Sequence, residues 1–366
     1  MNNSVLKNDE KAIFEMRELY EKYGYSQYKI SKFEEYDLYV RNKDFLVSDN
    51  IITFTDTNGK LMALKPDVTL SIIKNACDDI KGVQKLYYNE NVYRVSKGSH
   101  SFKEIMQVGL ECLGDVDDYC VYEVLMLAAE SLRKISDDFV LDISHLGIVS
   151  SVIKSLNVSL DAEKKLITCI SEKNLHEITE ICEREGADSE PLKKIVSAYG
   201  KPSKVISELS FLKCSEEKAQ LERIVSALEA NGYGDKIRID FSVVNDMSYY
   251  NGFVFKGWIS GISSGVLTGG QYDKLMQKLG KKAGAIGFAV YLDLLERLSE
   301  TQDRYDVDTV ILYDDNFDIS ALNDAVNMLT SNGNSVMAVK CVPDKLKYKQ
   351  LLKLQERGVE IVENNA

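Results

Sequence analysis

Three residues of the segment QVGLE (107–111) have the types and the spacing of a polar binding floor. Alternate side chains of a β-strand point to the same face, so Gln107, Gly109 and Glu111 share one face. An amide and a carboxylate then stand on either side of a position that has no side chain. This pattern predicts a polar recess on a sheet, open to a small molecule.

A second candidate is the segment SYYNGFVFKGW (248–258), in which Tyr249 and Tyr250 precede phenylalanines at every second position. The pair could serve packing alone, because adjacent strand residues face opposite sides and at least one tyrosine is usually in the core. The other interpretation is that the two rings line a small-molecule pocket. The segment by itself leaves both interpretations open.

Composition limits the class of protein that can carry such a pocket. A chain of 366 residues with 45% hydrophobic residues is long enough for two or three domains with full cores. The 45 Lys and Arg residues against 57 Asp and Glu residues give a net charge of −12. This balance disfavours a protein that is held to nucleic acid by phosphate contacts alone, although a local basic groove stays compatible with it.

Cysteine and histidine usage point to a cytoplasmic protein without a metal. The seven cysteines contain no CxxC pair, which favours reduced, buried thiols. The three histidines, His100, His145 and His176, do not have metal-ligand spacing, so no metal site is predicted. No apolar run has the length of a membrane span, and the first residues lack a signal-peptide core.

The first third of the chain must position these residues on strands. The spacing predicts a helix over 11–24 and a β-hairpin over 52–64, with Asn58-Gly59 in its turn. The runs 85–95 and 104–114 are predicted to form an antiparallel pair. A helix follows from residue 121.

The rest of the chain changes character twice. Charged amphipathic segments predict a helical insert, after which strands resume at 236–244 and 248–258, and 283–298 begins as a strand and becomes a helix. The last 60 or so residues alternate strand, helix, strand, helix after Asp344, and strand, which predicts a small parallel sheet. We therefore expect four regions: 1–146 (first part of a core), 147–235 (insert), 236–302 (second part of the core) and 303–366 (C-terminal α/β domain).

Six short motifs in order make the chain resemble the histidyl-tRNA synthetase family over nearly its whole length. They are LKPDVT (64–69), YRVS (93–96), QVGLE (107–111), MSYYNG (247–252), GGQYD (269–273) and AIGFAVYLDLL (285–295). The resemblance implies an α+β fold with a class II aminoacyl-tRNA synthetase-like core, in which helices flank an antiparallel sheet. It also implies the helical insert and a truncated anticodon-binding-like α/β domain at the end.

The resemblance further implies a histidine pocket. A bound histidine needs an anion for its ammonium group, donors for its carboxylate, and an acceptor with an aromatic hydroxyl for its imidazole. In the family, the positions that match Asp67, Thr69 and Gln107 hold the α-amino group. Those that match Glu111 and the tyrosine pair bracket the ring. The expected histidine-binding residues are Asp67, Thr69, Gln107, Glu111, Tyr249 and Tyr250.

The departures from the family are concentrated where ATP would react. Adenylation develops negative charge that needs fixed cations, and the family supplies three arginines. Arg94 retains one of them and is the expected anion contact. Ser96 stands where the family has a glutamate, and Asn245 and Leu294 stand where it has the other two arginines. Three further motif positions also differ: Lys32, Ser248 and Gln271.

This combination resembles the non-catalytic synthetase paralogues that serve as regulatory subunits of ATP phosphoribosyltransferase. The resemblance implies a homodimeric core that joins the short-form catalytic subunit in a hetero-oligomer and activates the first step of histidine biosynthesis. It implies histidine as a ligand, no cofactor, no catalytic residue, no tRNA and no membrane. Two alternatives stay open at this point: a functional histidyl-tRNA synthetase, and a synthetase-like histidine-binding protein with another role.

Overall fold

The computed structural model describes residues 8–41, 51–76, 82–95, 101–212, 216–244, 249–298, 305–355 and 358–365. The chain divides into two units, Met1–Arg297 and Leu298–Ala366. The domain boundaries expected from the sequence stay a prediction. The helices of the first unit are α1 (Asn8–Lys22), α2 (Tyr36–Val40), α3 (Thr69–Asn75), α4 (Asp118–Ile135), α5 (Leu146–Ser155), α6 (Leu160–Ser171), α7 (Leu175–Glu185), α8 (Glu190–Ser197), α9 (Pro202–Glu208), α10 (Glu216–Leu228) and α11 (Asp273–Lys278).

A nine-stranded sheet is the centre of the first unit, with the order β1-β5-β6-β12-β11-β10-β7-β9-β8. All neighbours are antiparallel except β1–β5 and β7–β9. The strands of this unit are β1 (Ser26–Gln27), β2 (Phe33–Glu35), β3 (Thr53–Thr55), β4 (Leu61–Leu64), β5 (Val83–Val95), β6 (Phe102–Gly114), β7 (Phe139–His145), β8 (Tyr199–Gly200), β9 (Ile237–Asp240), β10 (Phe253–Ile259), β11 (Leu267–Gln271) and β12 (Gly284–Tyr291).

Alternation along β6 separates a helix-covered face from a polar face. Leu110, Cys112 and Phe288 are buried on the side of α1 and α4, which are tied together by a 2.8 Å hydrogen bond between Tyr20 Oη and Ser131 Oγ. The odd-numbered residues of β6 therefore point away from these helices. The predicted antiparallel pairing of 85–95 with 104–114 is confirmed by the register of β5 and β6.

A small sheet stands beside the large one, with the order β2-β4-β3. The predicted hairpin is confirmed, because β3 and β4 pair antiparallel and Gly59 adopts a positive φ of 80° in the turn. Asp56 accepts hydrogen bonds from the backbone N–H groups of Asn58 and Lys60. The hairpin delivers the chain to α3, where the candidate site begins.

In its described residues, the segment between β7 and β9 consists mainly of helices, with the short strand β8, a 3₁₀ helix (Leu209–Phe211) and a π turn (Glu229–Tyr233). Strand β7 was not predicted, although it is the central partner of both β10 and β9. Near the middle of the sheet, β12 is followed by a 3₁₀ helix (Leu292–Leu298).

The residues described in the second unit form a four-stranded sheet, β14-β13-β15-β16, and one α-helix. Its elements are β13 (Val307–Leu312), α12 (Ile319–Ser331), β14 (Val336–Val339), β15 (Tyr348–Gln355) and β16 (Gly358–Asn364). The predicted helix after Asp344 is wrong, and the sheet is not wholly parallel because β16 pairs antiparallel with β15. Leu351 and Leu352 explain the difference: strand alternation buries one in each of two separate apolar clusters, whereas a helix would place both on one side.

A buried ion pair fixes the chain between β4 and α3. Lys65 is fully buried, and its Nζ donates to Glu90 Oε2 on β5 at 2.9 Å. The other carboxylate oxygen of Glu90 accepts from the backbone N–H of Ile30 at 3.2 Å. The pair therefore holds the entry to α3 against the large sheet.

Replacing Glu90 with Gln should lower the free energy of unfolding by about 3 kcal/mol, because it leaves the buried Lys65 ammonium without a counter-charge. Urea unfolding measures the change. The double variant Lys65→Met, Glu90→Gln should recover more than half of the loss. A single variant as stable as the unaltered protein would contradict this account of the pair.

Candidate functional site

The carboxyl group of Glu111 is the centre of the candidate site. Glu111 lies on β6 and is 1% exposed. Thr69 Oγ1 donates to its Oε1 at 2.8 Å, and the Tyr272 hydroxyl donates to its Oε2. Both oxygens of a buried carboxyl group are thus hydrogen-bonded, as burial of such a group requires.

A glycine makes room for this carboxyl group. Gly287 on β12 is directly opposite Glu111 in the sheet register. A Cβ atom at position 287 would collide with the Glu111 carboxyl group. Gly109 on β6 leaves space in the same way for the Tyr88 hydroxyl from β5. The space that the two glycines leave is therefore occupied by Glu111 and Tyr88, and the predicted recess for a small molecule stays a prediction.

Local sequence places the donors. Thr69 is the first residue of α3, and the backbone N–H of Leu70 donates to Asp67 Oδ1 at 2.9 Å, which ties the side chain of Asp67 to this turn. Tyr272 lies between β11 and α11. The next residue, Asp273, fixes this turn by accepting from the Ala285 backbone N–H at 2.8 Å.

Three tyrosines form one wall of the site. The Tyr249 ring lies 4.5 Å from the Tyr250 ring and 5.8 Å from the Tyr272 ring, measured between centroids. Tyr249 is buried in the apolar cluster under the site, and Tyr250 is half-buried at its edge. Both precede β10, which begins at Phe253, so their rings do not face opposite sides of a strand. Packing and pocket wall are therefore compatible interpretations for Tyr249.

Asp67 and Arg94 add one charge of each sign. Burial raises the pKa of Asp67, while its backbone hydrogen bonds and the nearby Arg94 charge oppose the rise. Arg94 Nε donates to the carbonyl of Pro66 at 3.2 Å, so the guanidinium stays at the start of α3. The Asp67 carboxyl group and the Arg94 guanidinium thus lie near each other at the start of α3.

The environment keeps Glu111 protonated near neutral pH. Burial raises the pKa of Glu111 to about 8, the hydrogen bonds from Tyr272 and Thr69 oppose this shift, and the nearby Asp67 adds to it. A neutral carboxyl group can give its proton to a basic ligand such as imidazole. The carboxylate formed would be held by the same two hydroxyl donors.

The structure brings together four of the six predicted pocket residues: Asp67, Thr69, Glu111 and Tyr249. Asp67 raises the pKa of Glu111 and of Tyr249, and the Thr69 hydroxyl lowers both through hydrogen bonds. Tyr250 lies at their edge. Gln107 is 4% exposed and points to the same face as Glu111, beyond Gly109. Among the described ranges, no hydrogen bond holds the Gln107 amide.

The positions that depart from the family are only partly visible. Ser96, Asn245 and Ser248 lie outside the described residues. Leu294 is half-buried in the 3₁₀ helix after β12, between the buried Leu292 and Leu295. Gln271 accepts from the Phe253 backbone N–H at 2.8 Å and thereby holds the start of β10.

Sequence reasoning missed Tyr272 and Tyr88. Tyr272 lies in the motif GGQYD, which supports the family resemblance but does not by itself indicate a role for the tyrosine. Its hydroxyl contacts Glu111 directly. Tyr88 is paired with Gly109 across β5 and β6. An aromatic residue opposite a strand glycine was the available signal, because the missing Cβ leaves room for a ring.

Two further searches were confined to the part of the chain that the structure describes. No group of three or more His, Cys, Asp or Glu side chains there could hold a metal ion. No helix there is long and apolar enough to cross a membrane.

The fold and the polar floor define a class II synthetase-like protein. The sequence profile described as Histidyl-tRNA synthetase matches residues 3–295, and the chain belongs to this family. A relative from Oceanobacillus iheyensis, named ATP phosphoribosyltransferase regulatory subunit, is 26% identical over 352 residues, which cover 93% of this chain and 86% of the relative.

Two solved structures share the fold. An ATP phosphoribosyltransferase regulatory subunit/histidyl-tRNA synthetase from Bacillus halodurans has a TM-score of 0.76 and 22% identity, covering 94% of this chain and 93% of the other. An ATP phosphoribosyl transferase (HisG:HisZ) complex from Thermotoga maritima has a TM-score of 0.63 and 19% identity, covering 79% of this chain and 98% of the other. The predicted fold class is confirmed by these neighbours.

The raised pKa of Glu111 predicts a pH dependence of stability. The folded protein keeps a proton up to about pH 8, whereas the unfolded chain loses it near pH 4.3, so the stabilising contribution is complete below about pH 4 and is lost as pH rises to about 8. Glu111→Gln removes this titration. Between pH 5 and 8 the unfolding free energy of the unaltered protein should fall relative to the variant by about 2 kcal/mol or more. A difference that is independent of pH would contradict the assignment.

Proposed function

We propose that this chain is a non-catalytic regulatory subunit of ATP phosphoribosyltransferase. In this function it binds the short-form catalytic subunit in a hetero-oligomer, activates the first step of histidine biosynthesis, and senses histidine in the pocket around Glu111. The observation that carries the proposal is the name shared by the relatives, which applies to proteins that match 93% and 87% of the chain.

The geometry of the site supports histidine as the ligand. An amino acid carries both charges, and the start of α3 offers Asp67 for an ammonium group and Arg94 for a carboxylate. The Glu111 carboxyl group, which Tyr272 contacts, and the Tyr250 ring, which contacts Tyr249 beside it, are groups that suit an imidazole. The buried amide of Gln107 supplies a further donor and acceptor on the same face.

The apolar side chain of Leu294 supports the absence of catalysis. Amino-acid adenylation needs cations around the reacting phosphate, each commonly worth a few kcal/mol of transition-state stabilisation. Leucine at this position cannot contact phosphate through a charge. Asn245 would remove a second cation in the same way.

Mixing the purified chain with a short-form catalytic subunit should give a stable complex and raise phosphoribosyltransferase activity well above that of the catalytic subunit alone. Size-exclusion chromatography and a steady-state assay of the pair measure the two effects. The chain alone should be inactive in this assay. Lack of a complex would contradict the proposal. Histidine-dependent exchange of pyrophosphate into ATP by the chain alone would instead favour the synthetase alternative.

Free histidine should raise the melting temperature of the chain, because a ligand that binds only the folded state stabilises it by mass action. Glu111→Gln keeps the shape of the site but loses the transferable proton, so it should remove most of the histidine-induced shift. Tyr250→Phe should remove less, because the ring remains. Differential scanning fluorimetry at millimolar histidine measures all three proteins.

Glu104→Gln provides the matched control, since Glu104 is an exposed glutamate on the same strand and outside the pocket. It should leave the histidine-induced shift unchanged. Absence of a shift in the unaltered protein would contradict histidine sensing here and return the tyrosines to packing alone. The regulatory proposal would then depend on the complex with the catalytic subunit.

A further inference from the structure

Tyr250, whose ring contacts Tyr249 of the Glu111 site, also lines a separate cavity. Its volume is about 420 Å³, within the range of small-molecule sites. One face of α5 lines it with Ser150, Ser151 and Lys154, and Tyr250, Asn251 and Lys274 contribute from the opposite direction. We call this space the α5 cavity. It belongs wholly to the first unit.

The lining of the α5 cavity is rich in hydrogen-bond donors. Lys154 and Lys274 bring two ammonium groups from two different elements, and the serine hydroxyls of α5 stand on the same helix face as Lys154. Glu217 from α10 is the only acidic residue in the lining given by the described part of the chain. Cationic donors therefore outnumber acidic groups in a protein whose net charge is −12.

The far wall is held in place by its own hydrogen bonds. Asn251 Nδ2 donates to Asp273 Oδ2 at 2.9 Å, and Asn251 Oδ1 accepts from the Lys274 backbone N–H at 3.4 Å. These contacts fix the backbone from which Tyr250 and Lys274 reach the cavity. In the described ranges, Lys154 forms no ion pair inside the protein, so its charge is available to a ligand.

We infer that the α5 cavity is a second ligand site, which takes a small phosphate-bearing metabolite. A phosphate group has several oxygens in a tetrahedral arrangement, and converging ammonium and hydroxyl donors from two sides match it better than they match a planar carboxylate. The α5 cavity differs from the histidine pocket in the charge that it favours, since the lysines of the cavity favour an anion. Tyr250 links the two sites, because it lines the α5 cavity and its ring contacts Tyr249.

Isothermal titration of the purified full chain with inorganic phosphate and with pyrophosphate tests the inference. At low ionic strength we expect saturable binding of one equivalent, tighter for pyrophosphate because it carries more charge, and weaker as salt is added. Lys154→Gln should weaken the binding about tenfold, the typical loss for one charge-assisted hydrogen bond. Succinate serves as the carboxylate probe and should bind more weakly than pyrophosphate.

Lys164→Gln is the matched control, because Lys164 is an exposed lysine of α6 that does not line the cavity. It should bind pyrophosphate like the unaltered protein. No saturable binding up to millimolar pyrophosphate, equal losses in both lysine variants, or stronger binding of succinate would overturn the inference. Neither histidine nor a catalytic subunit enters the assay, so its failure would leave the proposed regulatory function standing.

Discussion

The buried carboxyl group of Glu111 is the contact on which the arrangement of the site depends. An ionisable group of this kind is costly to bury unless both oxygens find donors. Thr69 supplies one from the start of α3 and Tyr272 supplies the other from the turn after β11. The glycine of β12 opposite Glu111 leaves the necessary space. Four stretches that are distant in sequence thus meet at one functional group.

Charges around α3 are arranged in opposite pairs. Lys65 is matched by Glu90, and two residues later Asp67 stands beside Arg94. The first pair is buried and holds the backbone, whereas both residues of the second are half-buried. The total charge of such a site is close to zero, but its groups of opposite charge make it strongly polar. Such a field suits a zwitterion, which presents both signs to the protein at once.

The family resemblance predicted the fold class, and local strand alternation predicted part of the candidate site. Period-two alternation places Gln107 and Glu111 on one face of a strand without knowledge of any other element. Strand alternation does not predict the role of Tyr272, because its contact with Glu111 depends on the packing of β12 between two strands.

The helix predicted after Asp344 failed for a related reason. The run over 346–354 suits a helix by its own pattern, yet pairing with β13 buries Leu351 and Leu352 on opposite faces. Non-local pairing overrode the local preference.

The order of strands in the large sheet has a consequence for synthesis on the ribosome. β6 ends at Gly114, but its neighbour β12 begins at Gly284, after the whole helical segment has been translated. Until then the outer edge of β6 exposes unpaired backbone groups, a known source of aggregation. The helices between them make local contacts and fold faster than the sheet can close. A nascent chain in which β5 and β6 pair early therefore keeps this edge of β6 open until β12 has been synthesised.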